Sequence, residues 1–482
     1  MINKILNYKT LLYRLLLFCG FLLWVFLVYK NLQIYAFNTD EMWAWDIAHD
    51  LTFSEITQLM HYEGHSFIWY MLIKPFTLLA DKFPVLFPDI IKYLNLAFLG
   101  AAMFLLWMCS PINIFLKLLI SVTSPFVITY PALARPYGLL ILLLFIVVML
   151  YKNRLKHPLV YAALLFIIMH TCWNGLIGAM FLGGFFIYDL YKENKSNFLC
   201  SKVLVPTFII CSAFVMLAIE WIPLFPPLYI KYFGTWNVFY EFFLPNVDLK
   251  YYNLISLFVW GPCLLTVALI HFSSMKNKRF LLFGAYIFYS FFIFYLIVAP
   301  GRYHHLYFIY IYFIVIYWML LENSEEFINN RLNFYSMTGI IALISVLYFI
   351  PFRDPHFWFI NKYDYEEGIQ RIKEIAPQGS KMYLILDYGA MAIPRLKDYY
   401  DLRTQYNYKI PSLKAYQSIY QDYYLLPQDI YVKQGETAYY VLPVAYLTAM
   451  QIKPLFQGDN CESAGYVYVI CTIKAKNSEN NE

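Results

Sequence analysis

Charge is what this 482-residue chain has least of: Asp, Glu, Lys and Arg make up only 14% of it, against about 25% in an average soluble domain. With a mean hydropathy of +0.53, that shortage excludes a water-soluble globule. No cleavage pattern follows the first apolar run, so that run is expected to be retained as a span. Six of the eight cysteines (Cys19, Cys109, Cys172, Cys200, Cys211, Cys263) lie in or beside apolar runs without paired spacing, which leaves no cysteine framework to read there. There is no 20–50-residue repeat and no pair of broken helices in matching halves, which counts against a transporter built from inverted repeats. A glycine-rich phosphate loop is also missing. The net charge of +5 does not point to nucleic acid, because membrane topology accounts for where the lysines sit.

What the chain has in excess is apolar and aromatic residues: 61% hydrophobic and 21% aromatic, with Tyr 46 and Phe 43. Lining of a lipid-facing groove and a coding bias toward Phe and Tyr explain the aromatics equally well. Apolar stretches near the bilayer-crossing length of about 20 residues recur. They are expected at 11–29, 90–108, 113–130, 137–151, 158–172, 175–191, 203–220, 254–272, 280–298, 304–321 and 334–350, about eleven in all. The fold class is therefore mostly α, a polytopic helical membrane protein. Basic residues cluster in alternate connections: Lys4, Lys9 and Arg14; Lys152, Arg154 and Lys156; Lys192, Lys195 and Lys202; Lys276, Lys278 and Arg279. Cytoplasmic loops collect such residues, so these four should share the inner side. That works only if "SFIWYMLIKPFTLLAD" (66–81), interrupted by Lys74-Pro75, lies along the outer surface instead of crossing. The N-terminus is then cytoplasmic, 30–89 is one large external loop with juxtamembrane helices, and 1–351 forms the membrane domain.

From 352 to 482 the texture is that of a small extracytoplasmic α/β domain. Ile369, Ile372 and Ala376 share one face of a helix over 364–376, and "KMYLILDY", "TAYYVLP" and "GYVYVICTIK" read as strands. Cys461 and Cys471 flank one apparent hairpin arm; a disulfide and two free thiols both fit.

Under this topology the outer face gathers Asp40 and Glu41, "HYEGHS" (His61, Glu63, His65), Arg135, His170, Asn174, Glu220, and Arg302, His304 and His305. Ionisable groups at a membrane rim are functional candidates. Each has a plainer reading. Asp40 and Glu41 fit a solvated loop as well as an active-site mouth. His61 and His65 have a metal-ligand spacing if helical, but Gly64 argues for surface histidines. Arg135, before Pro136, and Arg302 could be snorkelling arginines or anion clamps. Trp43 and Trp45 read as interfacial anchors, and Asp46 and Asp50 as facing water.

These residues resemble a known class. A first span followed by the external Asp40-Glu41 pair is similar to the polytopic GT-C glycosyltransferases, which use polyprenyl-phosphate sugars and include relatives of protein mannosyltransferases and of the lipid A aminoarabinose transferase. "EGHSFIWYMLIKPF" is similar to that class's juxtamembrane segment, "ARPYGLL" to its arginine-tyrosine turn opening a later span, and "GRYHHLY" to its late one. The match in order and spacing covers roughly residues 11–320. The resemblance implies that Asp40, with Glu41 in reserve, acts as base. It further implies that Arg135 and Arg302 contact the lipid phosphate, with Tyr303, His304, His305, Lys74 and His65 lining the donor site. Two departures stand out. Ser66 replaces the usual proline after the histidine, and "YPALAR" lacks the acid many members carry. A second catalytic carboxylate and a divalent metal, for which Asp40, Glu63 and His65 are the candidate ligands, therefore stay open.

The implied function is transfer of a sugar, with inversion, from a polyprenyl-phosphate donor to an envelope glycan, lipid or protein, in the plasma membrane. The implied partners are that donor, an envelope acceptor and membrane lipids. Arginine's fork suits the departing phosphate, and Lys74 would snorkel beside the entering prenyl chain. The competing readings are a lipid-linked oligosaccharide flippase, which needs polar groups through the bilayer depth, and a non-catalytic envelope assembly protein, whose acids would be dispensable.

Overall fold

The computed structural model describes residues 2–32, 39–63, 65–221, 278–297, 303–349, 362–384, 391–418, 435–443 and 461–474. The chain is mostly helical and divides into two compact units. The first comprises Met1–Leu32, Gly64–Ser66 and Lys92–Arg353, and the second Gln33–Glu63, Phe67–Ile91 and Asp354–Glu482. The loop after the first apolar helix thus groups with the C-terminal domain.

Among the described residues of the first unit, five helices are long and apolar enough to cross a membrane: Leu11–Leu32, Ile90–Met108, Trp173–Glu193, Ser201–Glu220 and Arg331–Tyr348. A sixth results if Ile114–Ser121 and Pro125–Ala132, bent by 59°, count as one span. The expected spans 137–151 and 158–172 are the shorter helices Tyr137–Tyr151 and Pro158–Met169, and 254–272 lies outside the described residues. Every residue from Phe308 to Leu320 in the Tyr303–Asn323 helix is buried. A helix apolar on all faces must be enclosed by protein, and this one packs against Lys278–Ile297, Tyr137–Tyr151 and Arg331–Phe349. Leu11–Leu32, by contrast, exposes Leu12, Leu16, Leu23 and Phe26, a surface suited to hydrocarbon.

Several polar side chains inside this unit pair across helices, as a water-free interior favours. Tyr310 Oη lies 2.6 Å from Ser345 Oγ, and Tyr312 Oη donates to the Asn174 carbonyl at 2.7 Å. The tyrosine excess therefore includes hydroxyls that stitch one helix to another. Side chains also take the carbonyls released at the 59° bend. Trp24 Nε1 donates to Phe126 O at 3.0 Å, and Asn95 Nδ2 to Tyr130 O and Leu133 O at 2.8 Å each. Asn95 Oδ1 accepts the Gly138 amide, and a Cβ at Gly138 would fall 2.5 Å from that oxygen. Only glycine allows so close an approach.

Asp189, near the end of Trp173–Glu193, receives Arg154 Nη2 and Arg279 Nη1 at 2.6 Å each. Two of the basic connections therefore lie at the same end of this bundle.

In the second unit, the helices Thr39–Asp50, Phe53–Leu59 and Phe67–Lys82 group with a five-stranded sheet. A capping box, Thr52 with Glu55, starts the middle helix. Phe67–Lys82 continues through Pro75, and its 16 residues span about 24 Å, less than a hydrocarbon core of about 30 Å. The strands are β1 (Lys381–Leu384), β2 (Asp401–Thr404), β3 (Thr437–Pro443), β4 (Cys461–Ala464) and β5 (Tyr468–Lys474), in the order β2-β1-β3-β5-β4. The first three are mutually parallel, while β5 runs antiparallel to β3 and β4. The helix expected over 364–376 spans Lys362–Ile375 and buries Ile369 and Ile372. Cys461 and Cys471, opposite each other on β4 and β5, are joined by a disulfide. Gly465, at φ +65°, turns the β4–β5 hairpin, a backbone conformation that favours glycine, and a Cβ there would fall 3.2 Å from the Gly368 backbone.

Candidate functional site

The acidic segment after the first apolar helix folds as Thr39–Asp50, with Asp40 and Glu41 in its first turn, where the helix dipole favours negative charge. All residues from Glu41 to Ala48 are buried, so this is a helix enclosed on every side. A solvated loop is thereby excluded. Asp40 is half-buried, whereas Glu41 is 0% exposed.

Several expectations for this segment are corrected. Trp43 and Trp45 are buried and do not anchor at an interface. Trp43 Nε1 donates to Glu63 Oε1 at 2.6 Å and its ring meets Tyr416 edge-on, while Trp45 packs edge-on against Phe87. Asp46 and Asp50 do not face water: Asp46 is 1% exposed, and the Asp50 side chain 2%. Lys74 does not snorkel. Its Nζ donates to the carbonyls of Ala48 at 2.8 Å and Leu51 at 2.7 Å, closing the C-terminal end of the acidic helix. His65 is buried and not a surface histidine, and no helix connects it to His61, because Phe53–Leu59 has already ended.

Sequence reading missed a charge cluster at the far end of this helix. Asp50 Oδ1 meets His49 Nδ1 at 2.6 Å and Lys397 Nζ at 2.9 Å, and Asp50 Oδ2 accepts from Tyr416 Oη at 2.5 Å. His49 Nε2 reaches both oxygens of Asp81 at 3.0 Å. Burial alone would raise the Asp50 pKa, but His49, Lys397 and Tyr416 outweigh it and hold the carboxyl below its ordinary value. The bond to Asp50 and, less strongly, that to Asp81 raise His49 against burial and the Lys397 charge. Burial pushes Asp46 well above the ordinary carboxylate range, and Asp50 adds to this while Lys397 opposes it. Neither Asp46 oxygen has a hydrogen-bond partner, which fits a neutral carboxylic acid in an apolar site.

In the first unit a second polar group forms around the turn before Tyr137–Tyr151. Arg135 is buried there, one residue before Pro136 caps that helix. His170 ends Pro158–Met169 and Asn174 opens Trp173–Glu193, both fully buried. Asn174 Nδ2 lies 3.2 Å from His305 Nδ1, and the His305 ring stands edge-on to Tyr137 at 6.1 Å. Arg135 and Asp189 thus mark opposite ends of the bundle, since one precedes Tyr137–Tyr151 and Arg154, the partner of the other, follows it. Tyr303 and His304 open the Tyr303–Asn323 helix; Arg302 lies outside the described residues. The structure therefore brings Arg135 and His305 into one unit with His170 and Asn174, and places Asp40, Glu41, Glu63 and Lys74 in the other.

No group of three or more His, Cys, Asp or Glu side chains able to hold a metal ion occurs among the described residues, and Asp40, Glu63 and His65 form none there. No known protein family matches the chain, and neither a curated protein nor a solved structure matches it.

Proposed function

We propose that this protein is an integral membrane glycosyltransferase that moves a sugar, with inversion, from a polyprenyl-phosphate donor to an envelope acceptor. One observation carries the reading. Of the two acids that open the helix after the first span, Asp40 is half-buried and Glu41 fully buried. A general base must stay reachable and ionised. Asp40 is the reachable one of the two, and it sits at a helix N-terminus, where the dipole favours negative charge.

In the proposed reaction the acceptor hydroxyl attacks the anomeric carbon while Asp40 takes its proton. The bond from that carbon to the phosphate oxygen breaks, and the lipid phosphate leaves with the electron pair. Arg135 and Arg302 balance that charge, because a guanidinium can bind two phosphate oxygens at once. His305 and Asn174 border Arg135's end of the bundle and complete a polar donor site there. The proposal includes about eleven spans, a cytoplasmic N-terminus, 66–81 on the outer surface and an extracytoplasmic C-terminal domain. Disulfides persist in oxidising compartments, so the Cys461–Cys471 bond favours that orientation.

Envelope glycans from cells lacking the gene test the reading. They should miss one sugar while its polyprenyl-phosphate form accumulates. An unchanged glycan profile with no lipid-linked intermediate would remove the basis for an enzyme.

A further inference from the structure

Asp50 is saturated in a way that a merely charged loop residue is not. Its two oxygens take three donors, one from its own helix and two, Lys397 and Tyr416, from positions 347 and 366 residues further along the chain. The neighbouring His49 faces a carboxylate at each ring nitrogen, Asp50 at Nδ1 and Asp81 at Nε2. Lys397 Nζ also lies 3.2 Å from His49 Nδ1. A neutral imidazole carries one N–H only, so donating to both carboxylates requires the doubly protonated form, with Lys397 then bonded through Asp50. Three segments therefore converge on the end of one 12-residue helix: Phe67–Lys82 through Lys74 and Asp81, and two pieces of the C-terminal domain, the end of Ile393–Leu396 through Lys397 and Leu413–Ser418 through Tyr416.

We propose that Asp50 is a positioning residue, through which the C-terminal domain fixes the rotation of the Thr39–Asp50 helix and hence the direction of Asp40. The inference rests on the reading of Asp40 as base. The physical reason is rigidity. A helix of this length is a rod of about 18 Å, so pinning its last turn from three sides leaves its first turn little freedom. The charges at the clasp nearly balance: Asp50 and Asp81 oppose His49 and Lys397, Lys74 meets carbonyls, and Asp46 sits buried alongside. Deprotonating His49 removes one N–H and releases a carboxylate. Asp81, 59% exposed, is the partner that water can take over. The clasp should accordingly loosen as pH rises through the elevated pKa of His49, and again as pH falls through the depressed pKa of Asp50.

The test uses the full chain in detergent for hydrogen exchange, and the same variants expressed in gene-deleted cells for the envelope glycan. Lys397→Met and Tyr416→Phe should each raise exchange of the 42–50 amides about tenfold or more, the change for losing a buried charge-assisted bond. Both should lower the glycan product, and Lys397→Arg should restore both readouts. Asp40→Asn should abolish product without changing exchange. Unchanged exchange in Lys397→Met and Tyr416→Phe would overturn the clasp whatever Asp40 does. Raised exchange with full product, in cells where Asp40→Asn is dead, would make the clasp structural only and overturn the positioning role. Full product in Asp40→Asn would remove the base, and the positioning role with it.

Discussion

Replacing Lys74 with Met should destabilise the acidic helix, although the sequence suggests that an apolar residue would sit well there. The last carbonyls of a helix have no partner within it, and here Nζ takes those of Ala48 and Leu51 at 2.8 and 2.7 Å. Its positive charge also opposes the negative end of the helix dipole. Burial lowers the Lys74 pKa, and the charges of Asp50 and Glu55 counter that. Bonds from a charged donor contribute about 1.5–3 kcal/mol each. Lys74 is half-exposed, so water screens part of this and replaces part of what is lost. The net cost should be about 2–4 kcal/mol for the pair. Thermal unfolding of the full chain in detergent measures it, with hydrogen exchange at residues 46–51 locating the change. A snorkelling lysine would give the opposite pattern, with Met tolerated and exchange unchanged. A melting temperature within about 1 °C of wild type would refute the cap.

Trp43→Phe keeps the buried ring but removes the 2.6 Å donor to Glu63; it should cost about 1–3 kcal/mol, read by thermal melting. Gly178→Ala would place a Cβ 2.2 Å from Tyr312 Oη, so the Trp173–Glu193 and Tyr303–Asn323 helices must part. A loss of about 1–3 kcal/mol should appear as reduced folded protein in membranes, and normal yield and melting would contradict that packing. Asp46 carries a raised pKa, so the folded state binds its proton more tightly than the unfolded chain does. Its contribution therefore falls as pH rises above the ordinary carboxylate value of about 4. Asp46→Asn should gain stability relative to wild type over that range, and parallel pH profiles would show that Asp46 is ionised in the fold.

Much of the fold is legible locally. Alternation marks β3 and β5, and the spacing of Ile369 and Ile372 marks the helix beside them. The "TFSE" capping box of Thr52 and Glu55 is equally readable. β2 ("DLRT") and β4 ("CESA") are not, because four residues of mixed polarity carry no period. The acidic helix shows the limit most clearly. "DEMWAWDIAHD" alternates acids and tryptophans in a way that suits a wet loop, and nothing nearby signals enclosure. The groups that make burial of Asp50 tolerable, Lys397 and Tyr416, belong to another part of the chain. Similarly, the ammonium of Lys74 was readable as a charge but not as a cap, since its acceptors lie 23 and 26 residues before it. Arg135 was legible as a turn residue from Pro136, whereas its burial depends on helices that local pattern does not assemble.

The central claim is that Asp40 accepts the acceptor's proton in glycosyl transfer, and one complementation experiment reads it directly. Asp40→Asn, Glu41→Gln and wild type are each returned to gene-deleted cells, and the envelope glycan and its lipid-linked precursor are quantified together. The account expects Asp40→Asn to lower product by about 10²–10⁴-fold, the usual contribution of a general base, while the precursor accumulates and protein level holds. Full product from Asp40→Asn, at normal protein level, would contradict it.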